Sequence, residues 1–392
     1  MRRIGVGERR ARLGVRHRLA RESRAASAVE VARSLVALHA TDPATVVISA
    51  LARLRAGGPE AVESALYEER TLVRLLGMRR TVFVVPVELG PVVQASSTRA
   101  LIPGERRRLV RLIEEHGIAA DGDGWLAELE DATVRALAAR GPATAAELAA
   151  EVPGLREEIT MHPDKSYGGR QRLTGRVLFL LSAAGRIVRG RPGGSWLSSQ
   201  YQWATAESWL PGGTAEPAAD VAQAELLRHW LAAFGPATSD DVRWWTRWTV
   251  REVRRALAKV GAAEVELDDG TTGYVLADDL EPVAAPEPWA ALLPALDATP
   301  MGWAQRDWYL GGHRAALFDR TGNIGPTVWW EGRIVGGWAQ RKDGEVVFRM
   351  LEDAGAEAVR AVEHAAGELR GRLGGIQVTP RFRTPLEKEL TG

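Results

Sequence analysis

The chain has 392 residues, 45% hydrophobic and 26% charged, with 51 Lys and Arg against 50 Asp and Glu. This balance excludes a long disordered protein, and the length allows two or three domains. Without a single cysteine, disulfide scaffolds, thiolate metal sites and cysteine nucleophiles are excluded, and a reducing compartment is expected: the cytoplasm, at the nucleoid. No run reaches the roughly 18 apolar residues of a membrane span, so no membrane partner is expected.

Charge is segregated along the chain. Residues 1–24 hold nine Arg and two Glu, Lys165–Arg191 holds seven cations and no acid, and Glu264–Glu281 holds seven carboxylates and no base. Such separation suits a protein with a cationic working face and an acidic remote part, although chance clustering on solvated surfaces gives the same look.

In chain order, periodicity predicts helices over 28–40, 43–54 and 59–69, then strands 71–75 and 81–85 paired across Gly77. Pro43 disfavours helical backbone at Asp42, so Asp42 and Pro43 read as N-cap and first turn, and His39–Asp42 as a non-helical joint. An internal repeat follows. Gly141-Pro-Ala-Thr144-Ala-Ala-Glu147-Leu148 recurs 94 positions later as Gly235-Pro-Ala-Thr238-Ser-Asp-Asp241-Val242. In each copy a threonine stands as N-cap and a carboxylate three residues on completes a capping box. Each start is followed by a predicted second helix, 170–184 and 249–260, and a predicted hairpin, 186–197 and 263–276. Helix, helix and hairpin make a winged helix.

The expected fold class is α+β, mainly α: three tandem winged-helix modules with a C-terminal Trp-rich α+β region. The first module spans 1–90, connecting helices 91–140, the second module 141–205, the third 220–285, and the C-terminal region 290–392. That last region holds Trp303, Trp308, Trp329, Trp330 and Trp338 among Gly-bounded strands, then a helix over 356–373 and a strand-like tail, 376–382. Five tryptophans so close together read as a core more readily than as a base-stacking surface.

Several segments together carry a family resemblance: Leu293-Pro-Ala-Leu-Asp297, Met301-Gly-Trp303, Arg306-Asp-Trp-Tyr-Leu310, Gly325-Pro-Thr-Val-Trp-Trp330, Gly336-Gly-Trp-Ala-Gln340, Val378-Thr-Pro-Arg-Phe-Arg383 and Leu35-Val-Ala-Leu-His39-Ala-Thr41-Asp42-Pro43. Over essentially its whole length the chain resembles the AlkZ/YcaQ-type winged-helix DNA glycosylases. The resemblance implies a monofunctional glycosylase that excises N7-alkylated purines, bulky or crosslinked ones included, in base excision repair or self-resistance to a genotoxin. Its partner would be double-stranded DNA containing such purines, and a monomer without cofactor is expected. Active members carry Gln-x-Gln or Gln-x-Asp where this chain reads His39-Ala40-Thr41, which places the catalytic expectation on His39 and Thr41.

An N7-alkylated purine needs little leaving-group activation, so a placed water and a stabilised sugar cation suffice. A neutral imidazole accepts a proton and a Thr hydroxyl donates or accepts, so His-x-Thr supplies the required hydrogen-bonding types. The plain alternative is a helix-terminal His39 and a polar joint residue in Thr41. On that view the protein is a non-catalytic winged-helix DNA binder, a regulator or a lesion-shielding factor. Candidate DNA contacts are Arg170, Arg172 and Arg176 on the second helix of the middle repeat, Arg189 and Arg191 on its wing, Arg79 and Arg80 at the first wing, and Arg381 and Arg383 in the tail. No metal site is expected: His162 and His229 lack ligand partners at suitable spacing. The third repeat, with Trp244, Trp245 and Trp248 and an acidic wing, reads as a packing module.

Overall fold

The computed structural model describes residues 1–161, 168–210 and 217–392; His162 lies outside them. Helices predominate, and the strands form four sheets. The widest sheet is antiparallel and orders its six strands as Leu38–His39, Val82–Pro86, Leu72–Leu76, Ile187–Pro192, Tyr201–Thr205 and Ala143–Thr144. The first hairpin, Leu72–Leu76 with Val82–Pro86, forms across Gly77 as its alternating apolar residues require. It meets the strand Ile187–Pro192 edge to edge at Arg74 opposite Arg189, so neither hairpin projects freely into solvent.

A four-stranded meander, Ala290–Leu293, Thr327–Trp330, Arg333–Gln340 and Val346–Met350, carries the C-terminal tryptophans and packs against the helices Gly355–Leu373 and Pro385–Thr391. Trp303, Trp329, Trp330 and Trp338 are all buried, as expected of a core. Arg2–Ile4 adds a parallel strand to the acidic hairpin Ala263–Leu267 and Thr272–Val275, which covers an edge that would otherwise stay open.

Both repeat copies start as their chemistry dictates. The Thr144 hydroxyl accepts the Glu147 amide and the Thr238 hydroxyl accepts the Asp241 amide, while each carboxylate reaches back to the threonine amide; Thr249 and Glu252 form a third box. One apolar core spans the N-terminal elements, the helix Ala219–Phe234 and the C-terminal meander. A second core is built by the helices Ile102–Glu115, Gly122–Arg140 and Thr174–Ala183.

The larger core encloses one ion pair. Arg53 and Asp297 are both fully buried and joined bidentately at 2.7 and 2.8 Å. Ser49, Thr299 and the carbonyl of His17 use up the remaining hydrogen-bonding capacity, so the pair is compensated where it lies. Burial opposes ionisation of Asp297, but the Arg53 guanidinium and the hydroxyl and amide donors outweigh it and hold the carboxyl below its usual range.

Several sequence expectations are corrected. The helix expected over 28–40 stops at Ser34; Val36 turns at φ 64°, and Leu38–His39 becomes a strand because Val84 and Phe83 offer it a ladder. The helix expected from 170 begins at Thr174. Gly169–Arg172 is instead a strand paired with Glu158–Met161, so Arg170 and Arg172 do not lie on a helix, while Arg176 does. The Gly168-Gly169 pair disfavours helix there. The second hairpin returns through Tyr201–Thr205 rather than by residue 197. The tail 376–382 is not a strand; its Val378 amide is taken by the Gln340 side chain, and a helix, Pro385–Thr391, follows.

Candidate active site and nucleic-acid interface

The His39–Asp42 joint is extended, then bent. His39 pairs with Phe83, and the Ala40 amide donates to the Val82 carbonyl at 2.8 Å. Alternate residues of extended chain project to one side, which removes the divergence that i and i+2 side chains have on a helix. Asp42 caps the helix Pro43–Leu51 by accepting the Ala44 amide at 3.1 Å. Its second oxygen accepts the Arg381 amide at 2.8 Å, so the C-terminal tail is tied to the joint.

His39 is 7% exposed, with its ring edge-on to Phe83 at 5.2 Å. Nδ1 of His39 and Oγ1 of Thr41 are both enclosed and have no hydrogen-bond partner among the described residues. Burial, and then the field of Arg79, lower the His39 pKa to about 4. The imidazole is therefore neutral at cellular pH and free to accept a proton. Left unsatisfied, each such enclosed atom costs about 1–3 kcal/mol, so the pair is a standing demand for a small polar ligand.

One cation acts on the His39 ring through its field, Arg79. Arg79, at φ 56° on the turn of the first hairpin, lays its guanidinium over Trp244 at 4.1 Å, and Arg306 approaches the same ring at 4.6 Å. Burial, with help from Arg306 and Arg247, lowers the Arg79 pKa to about 10, and it stays charged. Arg74 and Arg189 are neighbours across the sheet, in register with Leu38 rather than with His39. Arg74 is 4% exposed and stacks on Tyr201, while Arg189 stacks on Trp203. Burial, then Arg74, lowers the Arg189 pKa to about 10.

The other candidate residues divide. Arg381 is exposed, and its side chain has no ion pair among the described residues; the same holds for Arg172. Arg176 is half-buried beside Glu105 and Met161. Arg80 pairs with Glu105, Arg170 with Glu158, Arg191 with Glu63 and Glu68, and Arg383 bidentately with Glu387. Arg79 and Arg381 are thus the candidates that the fold ties to the joint, one by its field and one by its amide. Sequence reasoning took Trp244 for packing and Arg306 only as part of a family segment, and gave no place to Arg74 or Tyr201. Only Arg74 gave a signal, as a lone cation inside the apolar strand Leu72-Val-Arg-Leu-Leu76. Among the described residues no three His, Asp or Glu side chains group as a metal site, and no helix is long and apolar enough to cross a membrane.

Comparison with known proteins gives three findings. A model of the family described as DNA glycosylase AlkZ-like matches residues 32–371. The interstrand DNA cross-link repair glycosylase of Streptomyces sahachiroi is 29% identical over 172 residues, which cover 42% of this chain and 46% of that protein. The chain thus spans about half the length of that relative. The solved structure of Streptomyces sahachiroi DNA glycosylase AlkZ superposes with a TM-score of 0.73 at 20% identity, covering 96% of this chain and 98% of that one.

Proposed function

Because the chain belongs to the AlkZ-like DNA glycosylase family, we propose that it hydrolyses the N-glycosidic bond of N7-alkylated purine nucleotides in duplex DNA, bulky or crosslinked adducts included. The crosslink-repair activity of its Streptomyces relative supports that substrate class. In this reading the residues 1–90, 141–205 and 220–285 are winged-helix modules set along the duplex, and the protein works as a monomer without cofactor at the nucleoid. Water is the nucleophile, so the enzyme is monofunctional.

The observation that carries the reading is the pair of enclosed, unpartnered atoms, His39 Nδ1 and Thr41 Oγ1, at the position of the family motif. A water held between them would satisfy both groups and have its proton drawn toward a neutral imidazole as it attacks the anomeric carbon. The purine, already cationic, leaves as a neutral base. A neutral His39 also spares the developing sugar cation a like charge, and Arg79 and Arg381 hold backbone phosphate on either flank.

The test is release of N7-methylguanine from a single-lesion duplex, scored as alkali-labile abasic sites and repeated on a bulky N7 adduct. Wild type is expected to release base, and His39→Ala to lose on the order of 10²-fold or more in single-turnover rate; Thr41→Ala is expected to lose about tenfold, the value of one hydrogen bond of this kind. Release unaffected by either variant would remove the site from this proposal. Damage-selective binding with every adduct left intact would identify a non-catalytic lesion binder.

A further inference from the structure

A cavity of about 470 Å³ opens between the widest sheet, the helix Gly90–Val93 with the π-helical turn Gln94–Thr98 that continues it, and the end of the helix Thr174–Ala183. That volume falls in the range of small-molecule sites. Val73, Leu75 and Val188 give it an aliphatic floor. Leu75 is in register with Phe83, and Phe83 with His39, so this floor belongs to the sheet face that carries His39 and not to the face of Arg74. Two strand spacings, about 10 Å, separate it from the His39–Thr41 joint.

Polar side chains reach this cavity without serving the fold. Ser182 is 4% exposed and Gln94 is half-buried; both line the cavity, and neither the hydroxyl nor the side-chain amide has a hydrogen-bond partner among the described residues. The amide rests against Gly185, where φ is 71° and a Cβ would stand 2.9 Å from both of its terminal atoms. A π-turn gives up regular helical bonding and is found mostly where a function retains it; this one sets Gln94 in the cavity wall. Glu207, exposed at the mouth, and Arg99 bring one charge of each sign.

Such a lining suits a flat molecule with apolar faces and a hydrogen-bonding edge. Phosphate is a poor match, since the floor offers it no donors and the Glu207 carboxylate repels it. A purine base of the guanine type matches: its faces lie on aliphatic side chains, the Gln94 amide donates to the ring carbonyl, and the carboxylate accepts from the ring N–H and the exocyclic amine. We infer that this cavity is a binding site for a free guanine-type base, separate from the His39–Thr41 joint. The inference rests on the proposed function for the source of the ligand, because the base cut from the DNA is a molecule of this kind.

The experiment is equilibrium dialysis of the full chain against free N7-methylguanine, adenine and inorganic phosphate. It uses wild type beside Gln94→Leu, Ser182→Ala, Glu207→Gln and His39→Ala, each first checked for fold by circular dichroism and thermal melting. Wild type is expected to bind N7-methylguanine at one site, and Gln94→Leu and Glu207→Gln to bind it on the order of tenfold more weakly, with a smaller loss in Ser182→Ala. Adenine, which lacks the paired donors that a carboxylate takes, is expected to bind more weakly than N7-methylguanine, and His39→Ala to bind N7-methylguanine as wild type does. Absence of binding at millimolar base would overturn the inference, and so would binding that Gln94→Leu and Glu207→Gln both leave unchanged, or that His39→Ala alone removes. Preference for phosphate over the base would overturn it as well. If wild type holds the free base through Gln94 and Glu207 yet releases none from DNA, the cavity site stands and the glycosylase reading falls. If it releases base and holds none, the converse is true.

Discussion

Protonating His39 means placing a cation in a site 7% exposed and already within the field of Arg79. That fixes the sign of two pH effects. The imidazole is the neutral, proton-accepting form above its lowered pKa of about 4, so single-turnover base release on a fixed lesion is expected to stay level from pH 9 down to about 5 and to fall only near pH 4. A fall centred at the ordinary imidazole value of 6.5 would show that His39 is solvated during catalysis. His17 adds a stability effect. Its Nε2 donates to the Ala233 carbonyl, its Nδ1 accepts from Thr299, and burial, then Arg53, push its pKa to about 3. Both histidines have folded pKa values below the unfolded one, so the stability they contribute is complete above about pH 6.5 and is lost as pH falls toward 4 and then 3. Between those limits each is expected to remove about 1.4 kcal/mol per pH unit from the unfolding free energy, read by urea titration at stepped pH.

Among elements, the helix Pro43–Leu51 depends on Asp42 twice, as its N-cap and as the acceptor for the Arg381 amide. Asp42→Ala strands two amides and is expected to cost about 2 kcal/mol or more, with activity reduced more than Thr238→Ala reduces it for a similar loss of stability. Such caps were legible in the sequence because they are local: Thr144, Thr238 and Asp42 act on amides two or three residues away. The hairpin on either side of Gly77 was legible for the same reason. The strands Leu38–His39 and Gly169–Arg172 were not, since their partners lie more than forty residues away in one case and across residues 162–168 in the other; the glycines that disfavour helix at the second do not by themselves call for a strand. The joint could be placed by Pro43 and by the likeness of the surrounding segment, Leu35–Pro43, to a family segment. The neighbours of Arg79 and the buried pair of the widest sheet could not, because Arg79 meets Trp244 and Arg306, and Arg74 meets Arg189, only through long-range packing and strand pairing.

At the scale of the whole molecule, the ion pair of Arg53 and Asp297 joins the helix after the joint to the C-terminal region through one enclosed network. Removing one partner leaves the other charge buried, and Asp297→Asn is expected to lower stability by about 3–5 kcal/mol with a single cooperative transition, followed by chemical denaturation with two probes. The near-neutral total charge does not describe this molecule well: its charges matter by location, from the enclosed pair of Arg53 and Asp297 to the Arg79 guanidinium whose field lowers the His39 pKa.

The tether between Asp42 and residue 381 also gives the chain a clock. A ribosome delivers the His39–Thr41 segment early, together with the helix behind it, but the amide that fastens Asp42 follows 339 positions later. Growing chains, and chains cut short before residue 381, carry the His39–Thr41 segment without this fastening. The joint therefore takes its tethered form only after residue 381 has left the ribosome, which couples the geometry of a segment made early to a contact made late.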